Sequence, residues 1–226
     1  SRGLGDVYKR QDITSPVLLF DFDGTVSLGH GPVLAYAHFI AEKAGHPSIA
    51  HDAEALLNSD NVGSARDGYH LVRTLAAELD VPEETCQEAY MASRENLADT
   101  GITAPEGLAE FLASYPGRAI LATNSPEIGL SAALHTLGLD RSFDAIYTRV
   151  GKPEGLTRIL DTDLTGTDPT HLISFGDIWE FDLAPVAAVG GRTVLVDSPF
   201  ATSPEAHPTW RVTRVTDIFP ELTSAF

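Results

Sequence analysis

The sequence predicts an α/β fold: a doubly wound, Rossmann-like parallel sheet with an all-helical segment inserted after its first strand. Three observations carry this. Short apolar runs, Val17-Leu18-Leu19-Phe20 first among them, have the length and continuity of strands buried on both faces. From Thr103 onward such runs alternate with helical patterns, the order that builds a parallel sheet. Between the first run and Thr103 lies a long region with helical periods and little strand character.

Taken in order, strand one is expected over 17–22. Gly29-His30-Gly31-Pro32 then forms a flexible joint, and Pro32 suits a first helical turn. Val33, Ala37, Ile40 and Ala41 mark a helix ending near Gly45. Residues 51–58 make a short second helix, and 64–79 a third with Leu71, Val72, Leu75 and Leu79 on one face. Residues 82–98 make a fourth, with Glu83 and Glu84 at its positive start. A helix beginning at Pro105, a strand over 118–123, a helix over 126–137 closed by Gly138 and a strand over 143–148 follow. A helix at 153–161 leads to a strand over 171–175, and a helix over 180–189 to a strand over 193–196. A short strand near 210–215 and a helix start near 216 complete the core. The expected division is a core of 12–27 and 101–226 around a helical domain of 28–100. Residues 1–11 show neither period, resemble translated cloning sequence, and are read as a non-native leader.

Composition narrows the function. The chain has 226 residues, 43% hydrophobic, enough for one core with a smaller insert. Fifteen Lys and Arg against 32 Asp and Glu leave a net charge of -17, which speaks against neutralising nucleic-acid phosphates. No apolar run reaches the ~20 residues of a membrane span. Cys86 is the only cysteine, so no internal disulfide forms, and a reducing, cytoplasmic setting fits. On such an acidic surface an anionic substrate needs local positive potential from a metal, a lysine or helix N-termini.

The chemistry-bearing residues fall at the predicted strand ends. Asp21 and Asp23 stand two apart, and in extended chain such side chains point to one side. Two like charges so close call for a cation between them, and oxygen ligands favour Mg2+. A calcium loop also uses Asp-x-Asp and Gly, but needs further oxygen ligands, a closing Glu and flanking helices that this chain does not offer. Thr123-Asn124-Ser125 ends the second strand before Pro126, where hydroxyl and N–H groups could hold phosphoryl oxygens or cap a helix. Gly151-Lys152-Pro153 follows the third strand, and Gly176-Asp177-Ile178-Trp179-Glu180-Phe181-Asp182 the fourth. Asp177 is placed to ligate a metal beside Asp21, and Asp182 to orient Lys152 or a metal-bound water. Trp179 reads as packing.

In that order, Asp21/Asp23, Thr123, Lys152 and Asp177/Asp182 resemble the four motifs of the haloacid dehalogenase superfamily. The resemblance spans 12–219. The insert between motifs I and II resembles that family's C1 cap, as in the phosphatase-like group of phosphoglycolate phosphatases and β-phosphoglucomutases. Pro126 after Thr-Asn-Ser is a mild departure in motif II. The resemblance implies Mg2+-dependent hydrolysis of a small phosphorylated metabolite through an aspartyl-phosphate. Asp21 is then the nucleophile and Asp23 the general acid and base. The metal is held by Asp21, Asp23 through its backbone carbonyl, and Asp177. Thr123, Asn124 and Lys152 hold the phosphoryl oxygens. A phosphomutase with a sugar acceptor, or a catalytically silent member that only binds a ligand, are the alternatives. Dehalogenases of the superfamily usually lack the second aspartate. His30, Arg66, Tyr69 and His70, with Asp67, are the insert residues expected to meet substrate. Hinges are expected near 27–31 and 99–103.

Overall fold

The structure is a computed structural model and describes residues 15–224; the expected leader over 1–11 lies outside them. Its described strands are β1 (Val17–Phe20), β2 (Ala119–Ala122), β3 (Ala145–Tyr147), β4 (Leu172–Gly176), β5 (Arg192–Val196) and β6 (Trp210–Val212). They form one sheet in the order β3-β2-β1-β4-β5-β6, and every neighbouring pair is parallel. β1 shows why its sequence is apolar throughout. Leu18 and Phe20 enter one hydrophobic cluster, while Val17 and Leu19 enter another on the opposite face. Phe20 stacks on Phe175 of β4, ring centroids 4.4 Å apart.

Four helices follow β1 before the chain returns at Thr103: α1 (Gly31–Ala44), α2 (Ser48–Asn58), α3 (Gly68–Glu78) and α4 (Glu83–Glu95). They share an apolar cluster of their own that includes Tyr36, Ile40, Ile49, Ala53, Val72 and Ala89. The chain enters and leaves this insert side by side. Leu28 and Thr103 exchange both backbone hydrogen bonds, at 2.8 and 3.2 Å. Gly31 is required at this crossing, because a Cβ there would sit 1.7 Å from the Thr100 carbonyl oxygen.

The later helices are α5 (Leu108–Ser114), α6 (Leu130–Thr136), α7 (Glu154–Thr162), α8 (Ala184–Ala188) and α9 (Phe219–Ser224). Three boundaries differ from expectation for identifiable reasons. α3 starts at Gly68 rather than 64, because the Asp67 carboxylate accepts the His70 N–H at 2.7 Å and caps the helix there. α6 starts at Leu130 rather than 126. Gly129 is left-handed (φ 73°), and a side chain on it would meet the Arg94 carbonyl at 1.8 Å, so 126–129 serves as a turn packed on the end of α4. The expected helix over 180–189 opens as a wide π-type turn over Trp179–Leu183 before α8. That turn carries Asp182 inward against Gly176, where any Cβ would lie 2.2 Å from that of Asp182. Trp179 is buried against Leu183 and Leu195. Among the described residues no helix is long and apolar enough to cross a membrane.

Candidate active site

β1 is the strand at which the sheet order reverses, with β2 on one side and β4 on the other. Such a point opens a crevice at the carboxyl ends of the strands. A cavity of about 440 Å³ lies there, lined by Asp21, Asp23, Thr123, Lys152, Asp177 and Asp182 among others.

Each residue is delivered by a strand end. The Asp21 N–H donates to the Phe175 carbonyl at 2.9 Å, so pairing with β4 runs one residue past β1 and fixes this side chain. Gly24 follows in a left-handed turn (φ 81°), and a Cβ on it would come within 2.6 Å of the Asp177 carboxylate. The glycine is thus needed both for the turn and for the approach of β4's terminal loop. Lys152 is buried, and its Nζ bridges Asp21 Oδ1 at 2.6 Å and Asp182 Oδ1 at 2.7 Å. The second Asp182 oxygen accepts the Ile178 N–H at 3.1 Å, and Ser174 Oγ donates to the Asp182 carbonyl at 2.6 Å.

Asp21, Asp177 and Asp182 place carboxylate oxygens within 4.8 Å of one another. Burial and the charge of Asp182 push the Asp21 carboxyl up to about 7, against the pull of Lys152. Burial, Asp21 and Asp182 raise Asp177 well above the usual carboxylate range. One ammonium among three clustered carboxylates leaves negative charge to be met. The donors are all oxygen, so the set fits a hard divalent cation. Asp23's carboxylate stands outside that cluster.

Asp23 instead faces the insert. Its Oδ2 accepts from Ser125 Oγ at 2.8 Å, and Arg94 Nη1 lies 3.2 and 3.4 Å from its two oxygens. Arg94, on α4, is fully buried, donates to the Tyr69 hydroxyl at 2.8 Å and lies over the Phe22 and Tyr69 rings. Its Nε and Nη2 have no hydrogen-bond partner. From the sequence Ser125 is read only as part of the Thr123-Asn124-Ser125 stretch that holds phosphoryl oxygens or caps a helix, and Arg94 is not singled out. The available signal was spacing: Cys86, Tyr90 and Arg94 recur every fourth residue, which puts an arginine on the inward stripe of α4.

The other expected residues divide. Thr123 is buried at the cavity wall, its Oγ1 accepting the Ser125 N–H at 3.0 Å. Because α6 starts late, no helix N-terminus follows it directly. Asn124 lines the cavity but uses Oδ1 to accept the Lys152 N–H at 2.7 Å, which ties two motif loops together. His30 and Tyr69 line the cavity; Arg66 and His70 do not. The Arg66 N–H donates to His70 Nδ1 at 3.1 Å, so both are engaged in starting α3 instead.

Comparison of the sequence with protein-family models and with curated proteins finds no match. Solved structures do match. A proposed phosphatase from Clostridium difficile superposes with a TM-score of 0.66 at 21% identity, covering 92% of this chain and 98% of that one. YfnB from Bacillus subtilis, described as a proposed haloacid dehalogenase-type hydrolase bound to magnesium, gives 0.62 at 14%, covering 92% and 99%. The L-2-haloacid dehalogenase from Xanthobacter autotrophicus, with chloropropionic acid covalently bound, gives 0.58 at 17%, covering 94% and 100%. Over nearly its whole length, then, the chain carries the fold of the haloacid dehalogenase superfamily.

Proposed function

We propose that the protein is a Mg2+-dependent phosphomonoester hydrolase acting on a small phosphorylated metabolite. The observation that carries this reading is the division of labour between two neighbouring aspartates. Asp21 lies in the carboxylate cluster against Lys152, while Asp23 turns away to Ser125 and Arg94. A nucleophile and a separate proton donor are what in-line phosphoryl transfer needs. Displacing a halide leaves no oxygen to protonate and gives Asp23 no task.

In this reading Asp21 attacks phosphorus, the bond to the leaving oxygen breaks, and Asp23 delivers a proton to that oxygen. Asp23 then takes a proton from the water that hydrolyses the aspartyl-phosphate. Lys152 and Thr123 hold equatorial phosphoryl oxygens, and Asp182 keeps the Lys152 ammonium in place. Asp21 and Asp177, with the Asp23 carbonyl, would hold Mg2+, which supplies charge neutralisation at the phosphoryl group when bound. Residues 28–100 act as a cap over a core of 12–27 and 101–226, closing through the paired linkers at Leu28 and Thr103.

Phosphate release from a panel of phosphomonoesters, with Mg2+ and with chelator, tests the proposal. Metal-dependent release is expected, and Asp21→Asn should lower kcat by roughly 10³-fold or more with the circular dichroism spectrum unchanged. An Asp21→Asn protein with near-normal turnover would remove Asp21 from the role of nucleophile.

A further inference from the structure

The cavity extends from the carboxylates to the inner face of the helical insert, and its chemistry changes there. Tyr36 of α1, Tyr69 of α3 and Tyr90 of α4 line that end. Their rings touch pairwise, with centroids 5.7, 5.8 and 5.3 Å apart. The Tyr69 hydroxyl accepts from Arg94 Nη1 at 2.8 Å. Tyr36 is 1% exposed and backs the other two, so the part-buried rings of Tyr69 and Tyr90 are what the trio offers a ligand. Val33 and Leu57 extend the wall on the insert side, and Phe181 and Phe200 face it from the core.

Charge at this end disfavours a second anionic group. Of the cations lining the cavity, Lys152 is held between two carboxylates, and Arg73 Nη2 lies 2.6 Å from Glu83 Oε1. Arg94 is fully buried and outside the lining. Asp67 and Glu83 add negative charge to the same wall. The Tyr90 ring stands nearly perpendicular to those of Tyr36 and Tyr69, at 84° and 89°, so the three meet edge to face.

The geometry points to a substrate whose phosphate is esterified to an uncharged apolar or aromatic alcohol. This specificity rests on the phosphomonoesterase reading above and narrows it. The alcohol packs on the tyrosine wall and against Phe181 and Phe200, while its phosphate meets Asp21 and Lys152. A cavity of about 440 Å³ is within the ordinary range for a small-molecule site.

The test compares kcat/KM, with Mg2+, for benzyl phosphate, glycerol 3-phosphate, 2-phosphoglycolate and phosphocholine, with acetyl phosphate as a generic donor. Benzyl alcohol and glycerol are similarly poor leaving groups, so a difference between their esters reports binding of the alcohol. Benzyl phosphate is expected to exceed the polyol, anionic and cationic esters by about 100-fold. Phe200→Ala should raise the KM for benzyl phosphate roughly tenfold. Equal or better turnover of any of the three polar esters would overturn the specificity, while metal-dependent cleavage of acetyl phosphate would leave the phosphatase reading standing. Turnover of none of the five would overturn both.

Discussion

Asp21 sits under opposing demands. Burial and Asp182 favour its protonated form, and Lys152 favours the carboxylate; the balance leaves it at about 7. A carboxyl whose folded pKa stands above its unfolded value of 3.8 binds its proton more tightly in the fold. The stability this contributes is fully present below that unfolded value and is lost as pH rises through the folded one. Asp177 is shifted the same way. A divalent cation competes with those protons and offsets the loss where the groups are ionised. The melting temperature of metal-free protein should therefore fall between about pH 5 and about pH 8, and Mg2+ should raise it more at the higher pH. Thermal unfolding at both pH values checks this. An Mg2+ shift that is equal at the two, or larger in acid, would remove the cation from among these carboxylates.

At the scale of elements, α4 is what links the insert to the catalytic end of the sheet. Arg94 reaches Asp23 from its last turn, and Gly129 of the core packs on its terminal carbonyl. A buried guanidinium with two unpartnered nitrogens is costly to hold, yet removing it alone leaves the Asp23 carboxylate and the Tyr69 hydroxyl without their partner, which destabilises. Its placement makes sense as a means of orienting Asp23. Arg94→Met should accordingly lower the melting temperature and also lower kcat by roughly 10- to 100-fold. Calorimetry beside steady-state kinetics separates the outcomes. A destabilised protein with intact kcat would make Arg94 structural.

Over the whole molecule, what the sequence made legible was whatever one short segment decides. The sheet was readable because strands buried on both faces are apolar at every position, as β1 is. Asp21 and Asp177 each sit just past such a run, while Lys152 and Asp182 come further along the loops that leave β3 and β4. What stayed hidden depends on segments far apart meeting. Asn124 binds a backbone N–H 28 residues away, Arg94 pairs with an aspartate 71 residues away, and α6 starts late because α4 crowds Gly129. None of these leaves a local pattern. A net charge of -17 also means that the molecule repels anions at long range, so the proposed phosphoester would need the buried ammonium and a cation to hold it. The most direct measurement is therefore of the phosphoryl group itself. Acetyl phosphate mixed with protein and Mg2+, quenched in acid within milliseconds and digested for mass spectrometry, should place one phosphoryl group on the peptide at Asp21. Phosphate released in bursts with no adduct at Asp21, or an adduct on another residue, would contradict the account.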